Sequence, residues 1–168
     1  MALIQEDGSN VAGANTYGTT TGLCAYASLR NVQITGTDTA IEAYLIHAMD
    51  YIEGQHARFQ GMITTDGQPL QWPRVEVYID RLPVNSDEIP NQLIYAQYAL
   101  AMESFAGNDL LPTRQPTDPA QFTRQKLGPL ELEYSEPKVS RSFTPAFSKA
   151  DALLSQLFKR NGLAMIRA

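Results

Sequence analysis

Few residues in this chain can do acid–base or metal chemistry. There are two histidines, His47 and His56, and a single cysteine, Cys24. Imidazoles bind zinc or move protons, but these two stand nine apart, with no cysteine or carboxylate motif at metal-ligand spacing around them. His47 therefore reads as a solvated or hydrogen-bonded surface histidine. Cys24 lies in an amphipathic stretch with no histidine near it in sequence, which suits a small packed thiol better than a nucleophile. Asp50 and Glu53, three residues apart, can share one helix face as an acid and base pair would, but such pairs are ordinarily solvated surface. There is no phosphate-binding glycine loop and no G-x-S-x-G elbow. The expectation is a protein that is not an enzyme, with no catalytic, cofactor-binding or metal-ligating residues.

Four helices would have to position whatever else acts. The first follows the possible N-caps Thr19, Thr20 and Thr21 and runs to about Arg30, burying Leu23, Tyr26, Ala27 and Leu29. The second opens on a capping box, Thr39 to Glu42, and carries Ile41, Leu45, Ala48 and Ile52 at helical spacing before Gly54. The third is expected to begin near Ser86, Asp87 and Glu88, with Pro90 in its first turn. It shows two apolar lines, Leu93, Ala96 and Leu100 beside Ile94, Tyr98, Ala101 and Phe105, and so has the wide buried face of a central helix. The fourth starts at Ser148 with Asp151 closing a second capping box, and buries Ala150, Leu153, Leu154, Leu157 and Phe158. Lys159 and Arg160 would complement its dipole, and Asn161-Gly162 would cap it. Between the second and third helices Val75, Val77 and Ile79 alternate with polar residues as a half-buried strand does, after an Asp66-Gly67 turn.

At 168 residues the chain reads as a single domain, mainly α: a four-helix body (1–106 and 149–162) with a small β-hairpin element, a long extended arm (107–148) and a C-terminal tail (163–168). The arm is the most unusual part. It holds six of the ten prolines and no helical period, and structureless segments of this length are uncommon in compact domains unless functional or disordered. Within it Leu130, Leu132 and Tyr134 alternate with Glu131 and Glu133; this strand would pair internally or join a neighbouring subunit. An arm of this kind suits a protein built to grip a neighbour.

Composition narrows the setting. No apolar run approaches the roughly 20 residues of a membrane span, the N-terminal residues lack the pattern of a signal peptide, and one cysteine fits a reducing compartment. The net charge of −5 is unevenly distributed. Residues 1–106 carry twelve acids against four bases, the arm five of each, and the last twenty residues four bases against Asp151. An acidic body with a basic tail can associate head to tail with copies of itself or offer the tail to an acidic partner. Single-strand binders instead combine a basic groove with aromatic platforms. Here the body is acidic, and Tyr26, Tyr44, Tyr95 and Tyr98 lie on helices where they are expected to pack. The arm cations Arg114, Arg124, Lys126, Lys138 and Arg141 are interleaved with acids.

A series of short signatures spans nearly the whole chain. It runs from Glu6-Asp7-Gly8 and Ala14-Asn15-Thr16-Tyr17 through Ala48-Met49-Asp50-Tyr51-Ile52, Trp72-Pro73-Arg74 and Glu88-Ile89-Pro90. It continues with Lys126-Leu127-Gly128-Pro129-Leu130, Ala150-Asp151-Ala152-Leu153-Leu154 and a closing Ile166-Arg167-Ala168. In this order they resemble a family of tailed-phage proteins labelled "DnaT-like", whose members are similar to head-to-tail connector, or adaptor, proteins. The stretch before Trp72 and residues 108–122 depart from the pattern.

The resemblance implies a structural virion protein, assembled in the host cytoplasm and residing at the head-tail neck. Such adaptors form a homo-oligomeric ring, commonly a dodecamer, between the portal and the tail or a stopper, and extend the DNA channel. Their partners are copies of the same chain, the portal protein, the tail or stopper protein, and genomic DNA that passes without sequence-specific binding; no membrane is involved. By position, Leu163, Met165, Ile166 and Arg167 would dock into the portal, and Leu130, Leu132 and Tyr134 would serve as the inter-subunit strand. The alternatives are a single-stranded DNA-binding replication factor, as the label suggests, or a stopper or tail-completion protein. Trp72 reads as a core anchor, so Trp72→Ala is expected to cost ~3–5 kcal/mol of folding stability in chemical denaturation. A fully stable variant that no longer assembles would contradict that.

Overall fold

The structure is a computed structural model that describes residues 2–111, 124–127, 130–133 and 147–159. Among these residues there are four α-helices and three antiparallel strand pairs, a mainly α fold with small β elements. The helices are α1 (Thr20–Ser28), α2 (Asp38–Glu53), α3 (Asn91–Phe105) and α4 (Ser148–Ser155). β1 (Met62–Ile63) pairs with β2 (Arg74–Val75), β3 (Tyr78–Ile79) with β4 (Leu82–Pro83), and β5 (Arg124–Leu127) with β6 (Leu130–Glu133). The chain divides into two compact units, Met1–Leu110 with Ala146–Ala168, and Leu111–Pro145.

α3 is the centre of the larger unit and packs against each of the other three helices. Its wide apolar face buries Leu93, Ala96, Tyr98, Ala99, Leu100 and Ala101. One polar side chain on that face, Gln97, is fully buried with its hydrogen-bonding capacity filled. Its Oε1 accepts from the backbone N–H groups of Tyr17 (3.1 Å) and Gly18 (2.8 Å). Its Nε2 donates to Thr16 Oγ1 (2.9 Å) and to the Leu45 carbonyl on α2 (3.0 Å). The amide thus joins the N-terminal segment to two helices. That segment lies close against α3 and its entry. A Cβ at Gly18 would overlap the Tyr98 ring, and one at Gly8, where φ is +107°, would overlap the Asp87 carbonyl. Glycine is required at both positions.

Several boundaries differ from expectation, each for a physical reason. α3 begins at Asn91 and not near Ser86, because Pro90 forces Ile89 out of the α region and itself takes the N-cap position, its carbonyl accepting from Leu93 (2.9 Å). The cap of α2 is Thr37, whose side chain accepts from the Ala40 N–H at 3.3 Å, so the helix starts ahead of the expected Thr39 box. Leu29, expected to be buried, is 85 % exposed, since α1 ends at Ser28 before its next inward turn. The alternating run at 75–79 is broken into two pairs. Glu76 has φ of +60°, which ends β2, and Asp80 and Arg81 (φ +50° and +70°) form the tight turn between β3 and β4.

α4 is shorter than expected. Asp151 closes no capping box; its carboxylate accepts instead from the Tyr51 hydroxyl (3.4 Å), and Phe147 occupies the cap position without a side-chain bond. After Ser155 the chain leaves the helix through a turn (Leu157 N–H to the Leu154 carbonyl, 2.8 Å; Phe158 N–H to the Ser155 carbonyl, 3.4 Å) and gains tertiary bonds. The Gln60 N–H donates to the Leu157 carbonyl (2.9 Å), Lys159 N–H to the Arg58 carbonyl (2.7 Å), and Phe158 bridges Phe59. Leu157 and Phe158 are buried from this turn, while Leu153 is only partly buried. The expected cap at Asn161-Gly162 lies outside the described residues.

Gln97→Leu would leave the Tyr17 and Gly18 N–H groups buried and unsatisfied. It is expected to lower stability by about 3 kcal/mol or more, read as a lower urea midpoint at unchanged slope. A loss under about 1 kcal/mol would mean that the N-terminal segment is held by other contacts.

Candidate functional site

The residues singled out for acid–base or metal chemistry do not converge. His47 is exposed on α2 with Nδ1 3.2 Å from Ser104 Oγ, and His56 is exposed with Nδ1 3.3 Å from the Glu53 carbonyl. Cys24 is half-buried on α1 and packs against the core. Among the described residues, no group of three or more His, Cys, Asp or Glu could hold a metal ion. Asp50 and Glu53 separate, Asp50 facing solvent while Glu53 turns inward. Leu163, Met165, Ile166, Arg167 and Tyr134 lie outside the described residues. The backbone of β6 pairs in a local hairpin, Leu130 opposite Leu127 and Leu132 opposite Gln125.

Glu53 belongs to a buried polar clasp. Its carboxylate accepts from the Tyr17 hydroxyl and from the Gln71 N–H (3.0 Å), and Trp72 N–H donates to Tyr17 Oη (3.3 Å). Arg74, also buried, donates to the Gln60 (2.7 Å), Gly61 (3.0 Å) and Gln71 (3.2 Å) carbonyls. Trp72 is fully buried, edge-on to Phe59, and its Nε1 has no partner among the described residues. Burial pushes the Glu53 carboxyl above its ordinary 4.5, outweighing the hydrogen bonds from Tyr17 and Gln71 and the nearby positive groups. Burial and the Glu53 charge together push the Tyr17 hydroxyl well above 10.0. These shifted groups hold the end of α2, the N-terminal segment and the 71–74 loop together. Glu6 works similarly, accepting from the N–H groups of Gly8, Asn10 and Val11, each at 2.9 Å. The signature residues Glu6, Gly8, Thr16, Tyr17, Trp72 and Arg74 are therefore fold-defining contacts.

The exposed chemistry is elsewhere, where α1, α3 and the start of α4 meet. The Arg30 guanidinium lies 3.4 Å from the centroid of the Tyr26 ring, and Lys149 Nζ lies 5.2 Å from it. Tyr95 stacks on Tyr26 at 5.6 Å and an interplanar angle of 28°, and Tyr98 closes the group at 5.5 Å. Tyr26 and Tyr98 are buried, but Tyr95 is 44 % exposed. Burial and the Arg30 charge lower the Lys149 pKa, while Glu103 opposes them. A cleft of about 250 Å³ adjoins Lys149, lined by Glu103, Asn108, Phe147 and Ser148. Arg30 and Lys149 are exposed, so the cluster is an aromatic surface flanked by two cations. Of the four helical tyrosines expected to pack, Tyr95 stacks on Tyr26 yet remains partly exposed. The available signal was that Tyr95 falls off both apolar lines of α3. The partnership with residues 26, 30 and 149 is tertiary and has no counterpart in sequence spacing.

Fold and site together define a helical protein that presents a partly exposed tyrosine flanked by two cations. The whole chain, residues 1–168, matches the family described as "Putative DnaT-like ssDNA binding protein", and it belongs to that family. That description names single-strand binding, the alternative reading of the sequence, and says nothing of a portal, tail or ring. No curated protein and no solved structure matches the chain.

The clasp has a measurable pH dependence. Because the folded chain holds the Glu53 proton more tightly than the unfolded chain, this carboxyl contributes most stability below its unfolded pKa. The contribution is lost as pH rises through the raised folded value. The melting temperature of the wild type relative to Glu53→Gln is expected to fall as pH is raised from about 4. Parallel curves would contradict burial as the dominant influence on Glu53.

Proposed function

We propose that the chain is a structural head-to-tail adaptor, a homo-oligomeric ring that sits between a portal and a tail or stopper and extends the DNA channel. The observation that carries this reading is charge. Residues 1–106 hold twelve acids against four bases, and of those bases Arg74 is buried in the clasp. An acidic wall lets DNA slide past without adhering. The resemblance of the ordered signatures to adaptor proteins supports the same reading, as does the separate unit Leu111–Pro145 with its β5–β6 hairpin. On this proposal the protein resides in the virion neck. Residues 163–167 meet the portal, and the hairpin unit meets a neighbouring copy or the tail-side partner.

Single-strand binding is the second reading. The family description favours it over the ring, and the Tyr26–Tyr95 stack flanked by Arg30 and Lys149 is the surface that would serve it. Among the described residues this surface offers two cations, which alone would give a salt slope of about −1.4 in log–log form on a single strand.

Cryo-electron microscopy of intact virions, focused on the head-tail vertex, tests the proposal. A ring below the portal containing this chain is the expected result. Absence from the particle, together with a steep salt-dependent shift of labelled oligonucleotide by the purified protein, would overturn it in favour of the second reading.

A further inference from the structure

Two unlike exposed patches lie at opposite ends of α4. At its N-terminal end are Tyr95, 44 % exposed on the Tyr26 stack, Leu29, 85 % exposed, and the cations Arg30 and Lys149. At its C-terminal end Gln60 ties the helix to the small strands. Its Nε2 donates to the Gln156 (2.9 Å) and Tyr78 (3.3 Å) carbonyls, and its Oε1 accepts from Tyr78 N–H (3.3 Å). There the strand pairs expose Met62 (58 %) and, on one face of the β3–β4 pair, Tyr78 (54 %) with its cross-strand partner Pro83. The turns joining these strands carry three exposed acids, Asp66, Glu76 and Asp80, against one exposed base, Arg81. From Lys149 to Gln156 the helix alone separates the patches by about 10 Å.

We propose that these patches are the two halves of one contact between copies of the chain. Tyr95 and Leu29 of one copy lie against Tyr78 and Pro83 of the next, with Arg30 and Lys149 facing Glu76 and Asp80. This rests on the ring reading and names the faces that would build the ring. Exposed apolar patches rimmed by charge mark interaction surfaces, and these two match in both apolar character and opposite charge. A nucleic-acid strand would cover only the first and leave the second open. Because the halves differ, the contact is heterologous. It repeats from copy to copy, and closes into a ring where the rotation allows. The apolar side chains supply attraction and the charges set orientation.

Charge reversal tests this on the full chain, by light scattering and native mass spectrometry across a concentration series. Arg30→Glu with Lys149→Glu is expected to weaken self-association by about tenfold or more, and Glu76→Lys with Asp80→Lys to do the same. An equimolar mixture of the two variants is expected to restore association, because each reversed half then meets a complementary one. Arg30 also stacks on Tyr26 and donates to its carbonyl (2.7 Å), so a modest fall in melting temperature is expected for the Arg30→Glu, Lys149→Glu pair. Recovery of association in the mixture, which a lost fold could not give, separates lost contact from lost fold. Variants that associate like the wild type, or a mixture that fails to recover, would overturn these faces and leave the ring reading standing. A wild-type chain that stays single at every concentration, and is absent from virion rings, would overturn both. Oligothymidylate bound by the wild type and lost with Arg30→Glu and Lys149→Glu, at unchanged association, would assign the first patch to nucleic acid instead.

Discussion

The Gln97 amide meets partners on two other parts of the molecule, the 16–18 segment and α2, from a fully buried position on α3. A primary amide has two donors and two acceptor lone pairs, and here all four are engaged. An apolar side chain of the same size would fill the space but leave the N-terminal segment with buried, unsatisfied N–H groups. That asymmetry makes the interaction specific: many packings would bury α3, but this one also satisfies the segment that crosses it. The close approach at Gly18, with the Tyr98 ring where a Cβ would stand, follows from the same constraint.

The second buried network performs a related task at the C-terminal end of α2. Tyr17, Glu53 and the 71–74 loop are far apart in sequence and gain little from one another until the helix end, the N-terminal segment and the loop are together. The carboxyl there is raised by burial while Arg74 lies nearby with its donors turned to backbone carbonyls. Strongly shifted groups often mark catalytic sites. Here the shifted groups are enclosed by the loops they hold, and the exposed chemistry lies instead on the Tyr95 surface. The buried signatures account for the shape, and the surface accounts for what the shape can touch.

The two functional readings divide over that surface. Aromatic stacking with flanking cations suits a base and its phosphate, and it equally suits an acidic, apolar face of another protein. The family description points to the first, and the overall charge of the body and the second exposed patch point to the second.

Much of the helical framework was legible without coordinates. The periodicity of Ile41, Leu45, Ala48 and Ile52, and the double apolar line of α3, follow from local spacing alone, since a helix presents every third or fourth residue to one side. Pro90 marked the entry to α3, though the restriction it places on Ile89 decides the boundary more sharply than the capping residues upstream. The end of α4 was not legible, because Leu157 to Lys159 keep helical apolar spacing yet leave the helix to bond with Arg58 and Gln60. The same holds for Glu53 and Tyr95. Each looks ordinary in its own helix, and its partners come from segments many residues away. Sequence by itself therefore determined which faces are apolar, where charge accumulates and which families the signatures resemble. Only the tertiary structure decided which polar groups are buried together and which tyrosine remains at the surface, because burial depends on what the rest of the chain brings to that place.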